Sequence, residues 1–148
     1  MSSSVRLQLG CGNDPKPGWI NHDLVQLEGV EIVHDLNNRP WPWADNSIDE
    51  IWAKDVLEHL PDTLATMEEL YRITKPGASV YIAVPYWNSW EAITDPTHVR
   101  QFNEFTLIFL ILPKNNAKND LITQMLALQS TKLDSESKPT HTFTPKKE

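Results

Sequence analysis

VRLQLGCG, residues 5–12, alternates apolar and polar side chains from Val5 to Leu9 and then stops on Gly10-Cys11-Gly12. A period of two marks a strand with one buried face. A Gly-x-Gly turn bends the backbone sharply and lets it approach a ligand with no Cβ in the way. An ordinary strand-ending turn has the same composition, so the stretch defines a strand–turn unit and leaves its use open. The dinucleotide pattern wants a third glycine, where this chain has Pro15, and an acid about 20 residues on. Here Asp23 comes 13 residues after Gly10. A nicotinamide dinucleotide is therefore disfavoured.

Outward from this unit, residues 19–24, 31–34, 48–53 and 79–84 read as further strands, the fourth preceded by the turn residues Ala44-Asp45-Asn46-Ser47 and the fifth stopped by Pro85. Leu64, Met67, Leu70 and Tyr71 share one helical face opposite Glu68 and Glu69, with Asp62 as N-cap and Lys75-Pro76-Gly77 closing the element. The order β-loop-β…β-α-β predicts an α/β, mostly parallel sheet. The links at residues 10–18 and 25–29 are short, whereas a parallel crossover usually needs about a dozen residues. Either the crossing helices shrink to single turns or the second strand is very short. Residues 86–102 form a long loop rich in Trp, Asp and His. Residues 105–112 read as a helix capped by Asn103 or as an apolar strand. Leu121, Met125 and Leu128 share a helical face, which predicts a modest helix over residues 120–133, and the composition from Ser135 onward reads as disordered.

The whole chain of 148 residues has a net charge of −7 and 40% apolar residues, which fits one globular domain. Residues 1–112 carry a net −9 and all six tryptophans; residues 113–148 carry +2 and only Phe143 as an aromatic. The division expected is a body over 1–112 and a polar C-terminal extension over 113–148, partly helical or disordered. The acidic balance argues against a binder of phosphate backbones. The longest apolar run, residues 107–112, is far short of the roughly 20 residues of a membrane span. The serine-rich start runs straight into a strand, so no signal peptide is expected. One cysteine, Cys11, rules out an intramolecular disulfide. A cytoplasmic setting, with no nucleic-acid or membrane partner, is the expectation.

Asp23 and Asp35 close the second and third strands. In an open α/β sheet, ligands bind beyond the carboxyl ends of the strands, and a carboxylate there accepts ribose hydroxyls for roughly 1.5–3 kcal/mol per charged hydrogen bond. The plainer alternative is that both acids only cap turns. LQLGCG at 7–12, GWINHDL at 18–24, HDLNNRPWPWADNSIDEIWAKDVLEHL at 34–60, ELYRITKPGASVYIAVPY at 69–86 and DPTHVRQF at 95–102 follow in order. Together they resemble the class I S-adenosylmethionine-dependent methyltransferases, in particular their short type 11-like group, over residues 5–102.

The resemblance implies a Rossmann-like fold and S-adenosyl-L-methionine as cofactor. Gly10, Cys11 and Gly12 would pass under its methionine part, Asp23 would take the ribose hydroxyls and Leu24 would pack beside the adenine. Asp35 would face the adenine amino group, Leu36 would offer an apolar or backbone contact, and Ala53 and Lys54 would hold the cofactor's amino group through backbone carbonyls. Residues 55–59 would form the turn beneath the acceptor, and residues 40–43 a rigid loop near the adenine. Against the family pattern, Gln8 replaces an acid, and residues 113–148 offer no obvious strand pair after strand five. The bare edge this leaves predicts a cover from residues 105–112 or from a second subunit, a homodimer through the sheet edge.

His98 and Asp95 are the candidate catalytic base and its partner, for an acceptor that must lose a proton. The rival for His98 is a structural bond to Asp95. His59 reads as an anchor of its turn, and five unclustered histidines predict no metal site. Tyr86, Trp87 and Trp90 either stack on the acceptor or fold onto the core. Two functions follow: methyl transfer to a small-molecule acceptor, or a non-catalytic S-adenosylmethionine-binding or assembly module.

Overall fold

The computed structural model describes residues 4–106, 125–129 and 140–142. Five parallel strands form the body: β1 (Arg6–Leu9), β2 (Ile20–Asp23), β3 (Ile32–Val33), β4 (Ile48–Lys54) and β5 (Thr74–Pro85). Helix α1 (Thr63–Ile73) links β4 to β5, and α2 (Trp90–Thr94) lies in the loop after β5. Two further strands, β6 (Met125–Gln129) and β7 (Thr140–Thr142), complete the order β3-β2-β1-β4-β5-β6-β7. The chain direction across the sheet reverses between β1 and β4, which places a ligand crevice at their carboxyl ends.

Register decides the two faces. Leu7 and Leu9 of β1, Ile51 and Ala53 of β4, and Val80 and Ile82 of β5 line up across the sheet and are all buried. Against them pack Leu70 and Ile73 of α1, which starts as the sequence predicts, with Asp62 Oδ1 accepting from Ala65 N at 3.0 Å. Trp41 and Trp43 join this core edge-to-face, with ring centroids 6.1 Å apart. Arg72 holds them there, reaching the carbonyls of Trp41 and Trp43 while paired in a fork with Glu69.

The opposite face solves the problem of the short links. Residues 10–19 contain no helix, and β2 has only four residues. Asn21, Gln8, Trp52 and Tyr81 are successive neighbours across β2, β1, β4 and β5. Gln8 donates Nε2 to the Asp14 carbonyl (3.0 Å) and accepts from Lys16 N (2.8 Å); Asn21 Oδ1 shares that Lys16 amide at 2.9 Å. The two side-chain amides thus satisfy loop backbone that a helix would otherwise satisfy internally. Lys16 then lays its ammonium 4.1 Å from the Trp52 ring centroid, and Trp52 stacks on Tyr81 at 3.8 Å.

The C-terminal edge differs from expectation. β5 is paired along Tyr81–Pro85 by β6, running parallel, and β7 pairs antiparallel with β6. So the cover comes from residues 125–129 rather than from residues 105–112 or a second subunit, and residues 140–142 are strand. The helix expected over 120–133 is overturned at residues 125–129; its other residues lie outside the described part. The i, i+4, i+7 spacing of Leu121, Met125 and Leu128 loses to hydrogen bonding along the waiting β5 edge, since short apolar runs take their state from tertiary context. Asn103 does cap a helical turn at residues 104–106, accepting from Thr106 N at 2.9 Å; residues 107–112 lie outside the described part.

Candidate active site at the carboxyl edge of the sheet

Gly10 leaves β1 with φ +61°, and a Cβ there would lie 2.6 Å from Val56 Cγ2. Only glycine lets the first turn pack against the segment that follows β4. Gly12, at φ +52°, faces open space: a Cβ would meet nothing within 4 Å. Its amide donates to Asp23 Oδ2 at 2.8 Å, and Cys11 N donates to the His22 carbonyl at 2.9 Å. The glycine turn is therefore bound to the end of β2. Asp23 Oδ1 accepts from Val25 N at 3.2 Å, so each carboxylate oxygen carries one such bond and retains a lone pair. The open space over Gly12 and this retained capacity fit a nucleoside with vicinal hydroxyls.

The other expected cofactor residues divide. Leu24 is 61% exposed beside Asp23, available as an apolar platform. Asp35 lies just past β3, where its Oδ1 accepts from Asn37 N and Nδ2, both at 2.9 Å, in the turn-capping geometry weighed against it. Leu36 is drawn into the core and its carbonyl accepts from Trp41 Nε1. Ala53 is fully buried at the end of β4; Lys54 is exposed and lies 3.6 Å from Asp55. Cys11 is a free, buried thiol whose pKa burial and the nearby Asp23 push up.

Along the same carboxyl edge, a cleft of about 340 Å³ opens between the ends of β4 and β5, lined by Asp55, Glu58, His59, Pro85, Glu91, Thr94, Asp95 and His98. The loop after β5 makes its far wall. Trp87 N bonds the Phe102 carbonyl at the loop's base, and Val99 N bonds the Glu58 carbonyl at 2.9 Å, folding the loop over the turn at Leu57–His59. Fully buried Phe102 anchors it. His98 Nδ1 lies 3.4 Å from the Ala92 carbonyl and so carries the hydrogen; its Nε2 faces Asp95 Oδ2 at 3.7 Å and Glu58 Oε1 at 4.0 Å. The expected His98–Asp95 pair is thus brought together.

Sequence reasoning missed Glu58. Its side chain is 2% exposed, and burial, with Asp55 and Asp95 nearby, pushes its pKa up to about 7. The available signal was an acid inside the apolar run Val56-Leu57-Glu58-His59-Leu60. His59 anchors its turn as expected: Thr97 Oγ1 donates to Asp95 Oδ1 (2.6 Å) and accepts from His59 Nδ1 (2.9 Å). Those Thr97 bonds hold the Asp95 carboxyl below the usual range. Trp87 and Trp90 are 48% and 65% exposed, so the core-folded reading fails for both, and neither lines the cleft.

Residues 7–82 match the family model described as a methyltransferase domain. The chain belongs to this family, among the class I S-adenosylmethionine-dependent methyltransferases. The methyltransferase domain is similar to methyltransferase GfsG of Streptomyces halstedii, 37% identical over 100 residues, covering 52% of this chain and 36% of that protein. It is also similar to the glycine/sarcosine/dimethylglycine N-methyltransferase of Actinopolyspora halophila (31% over 68 residues; 44% and 12% of the two chains). A demethylmenaquinone methyltransferase of Oceanobacillus iheyensis is 38% identical over 56 residues (38% and 23%). The matches thus span little more than a third of these relatives' lengths at most. Among the described residues no helix is long and apolar enough to cross a membrane.

Proposed function

We propose that this domain binds S-adenosylmethionine across the glycine turn and transfers its methyl group to a small-molecule acceptor held in the adjoining cleft. The observation that carries the reading is the Gly12–Asp23 bond at the carboxyl edge of a parallel sheet, with a cleft on the same edge at the ends of β4 and β5. S-adenosylmethionine, when bound, supplies an electrophilic methyl on a sulfonium. Gly10, Cys11 and Gly12 approach its methionine part; Asp23 accepts the ribose hydroxyls and Leu24 covers the adenine, with Asp35 beside it. Ala53 and Lys54 offer backbone carbonyls at the end of β4. The acidic wall of Asp55, Glu58 and Asp95 suits a positively charged ligand.

The acceptor then needs orientation and loss of a proton. Proximity and orientation supply roughly 7–11 kcal/mol. With Nδ1–H held by the Ala92 carbonyl, the proton-accepting atom of His98 is Nε2, and Asp95 is placed to stabilise the ring once it has taken the acceptor's proton. The rival, a binding module without turnover, rested on Gln8 and on the missing edge strands. Gln8 has its own structural task and β5 carries a cover, which favours the catalytic reading.

Thermal shift and calorimetry with S-adenosylmethionine and S-adenosylhomocysteine test the cofactor. At 100 times the dissociation constant either ligand adds about 2.7 kcal/mol of stability; no shift with either rejects cofactor binding. Because Asp23 also caps the glycine turn, Asp23→Asn, which keeps an acceptor for Gly12 N and gives up only the exposed 3.2 Å bond from Val25 N, is the variant of choice. Its affinity should fall at least tenfold with the melting temperature little changed. A shift with no product across an acceptor panel would favour the module.

A further inference from the structure

We infer that Glu58, His59 and His98 form a binding site for a divalent transition-metal ion of the zinc class, on the floor of the cleft. The three contribute one ligand atom each, all within 4.8 Å of one another. The set comprises two imidazoles and one carboxylate, borderline and hard donors that suit zinc, cobalt or iron rather than magnesium or calcium, which prefer all-oxygen shells.

Two independent observations point to a cation. Glu58 is nine-tenths buried and more, yet neither of its oxygens has a hydrogen-bond partner among the described residues. Burying a carboxylate costs several kcal/mol unless something positive or donating meets it; besides the backbone amide of Glu58 itself, the His98 ring lies closest, with Nε2 at 4.0 Å, beyond hydrogen-bond reach. The two imidazoles are also both held by their other nitrogen. His59 gives its Nδ1–H to Thr97 Oγ1, which is oriented in turn by Asp95, and His98 gives its Nδ1–H to the Ala92 carbonyl. Fixing Nδ1–H leaves Nε2 as the lone-pair nitrogen, the arrangement found around metal-bound histidines, whose second nitrogen is bonded to a carbonyl or, here through Thr97, to a carboxylate.

In a tetrahedral site with bonds of about 2.0–2.1 Å the ligand atoms stand about 3.4 Å apart. Side-chain rotation therefore has at most about 1.4 Å to close from the 4.8 Å spacing. Three protein ligands leave a fourth position open toward the cleft. The sequence alone predicted no such site, because Glu58-His59 and His98 are 39 residues apart and meet only when the loop after β5 folds over the turn beneath it.

The site shares His98 and the cleft with the proposed methyl transfer, so an ion on His98 Nε2 and proton acceptance there exclude each other; its test reads metal binding and needs no acceptor. Chelator-treated full-length chain is titrated with zinc chloride by calorimetry, and with cobalt(II) for the visible absorption of a tetrahedral site. One zinc per chain is expected, weakened at least tenfold (about 1.4 kcal/mol) in His98→Ala and in Glu58→Gln, and unchanged in the control His34→Asn. Thr97→Val, which frees the His59 ring without removing a ligand, should weaken binding about tenfold. If Glu58→Gln does not fold, as circular dichroism will tell, His59→Gln takes its place. Absence of zinc binding, or affinity equal in wild type and all cluster variants, overturns the site. Loss of S-adenosylhomocysteine binding with zinc binding retained would instead overturn only the cofactor reading.

Discussion

At the scale of single residues, one atom type decides the role of Gln8. Its amide both donates and accepts, and the short loop needs both. Gln8→Glu would keep the acceptor for Lys16 N but turn a carboxylate oxygen toward the Asp14 carbonyl. That buried mismatch should cost about 1–3 kcal/mol, measured by urea unfolding. A variant as stable as wild type would show that the loop stands without it. His22 makes a second case. Burial holds its pKa below the usual 6.5, with Nε2–H donated to the His34 carbonyl and the ring edge-on to Trp43. The native state therefore resists protonation that the unfolded chain accepts. This group's contribution is complete above the unfolded pKa and declines as pH falls below about 6.5 toward its folded value. His22→Gln should be less stable at pH 7 but show a shallower decline between pH 7 and pH 5.5. Parallel curves for the two proteins would remove His22 from the acid response.

At the scale of elements, α1 shows how far local signals reach. Its cap is legible, because it is written within one turn, but the face read as apolar is not the buried one: Leu64 is half exposed, and the helix buries Thr63, Thr66, Glu69, Leu70 and Ile73. Its Glu69 was assigned to the wet face, yet it is buried, accepting from Trp41 N at 2.7 Å and from Arg72 at Nε and Nη2. The polar face of this helix is covered by the loop around Trp41, which comes from 28 residues earlier in the chain. No periodicity within α1 signals that. Arg72→Met would leave Glu69 buried without its fork and release the Trp41 and Trp43 carbonyls. The cost should be about 3 kcal/mol, read as a shift in denaturant midpoint. A change within about 0.5 kcal/mol, the usual scale for surface substitutions, would mean that the loop is held by its tryptophans alone.

At the scale of the whole molecule, the sheet is closed at β5 by chain that lies far along the sequence. Removal of residues 113–148 strips away β6 and β7 and bares the β5 edge. The shortened protein should self-associate, by sedimentation velocity, at concentrations where the full chain is monodisperse. A monodisperse shortened chain would show that β5 tolerates exposure. The candidate site divides along the same line. Gly10, Gly12 and Asp23 are legible because each follows directly from its own strand. Glu58 was missed, since its burial is decided by a loop that begins 28 residues later.

By itself, the sequence determined what acts over a few bonds or one strand length: alternation that makes parallel strands, glycines that allow positive φ, Asp62 as a cap, acids placed at strand ends. Only the tertiary structure decided which surfaces meet. Folding set Trp41 and Trp43 into the core, made strand of residues 125–129, and brought Glu58, His59 and His98 around one cleft. Those outcomes depend on contacts between segments tens of residues apart, and their energy resides in pairings that no local window contains.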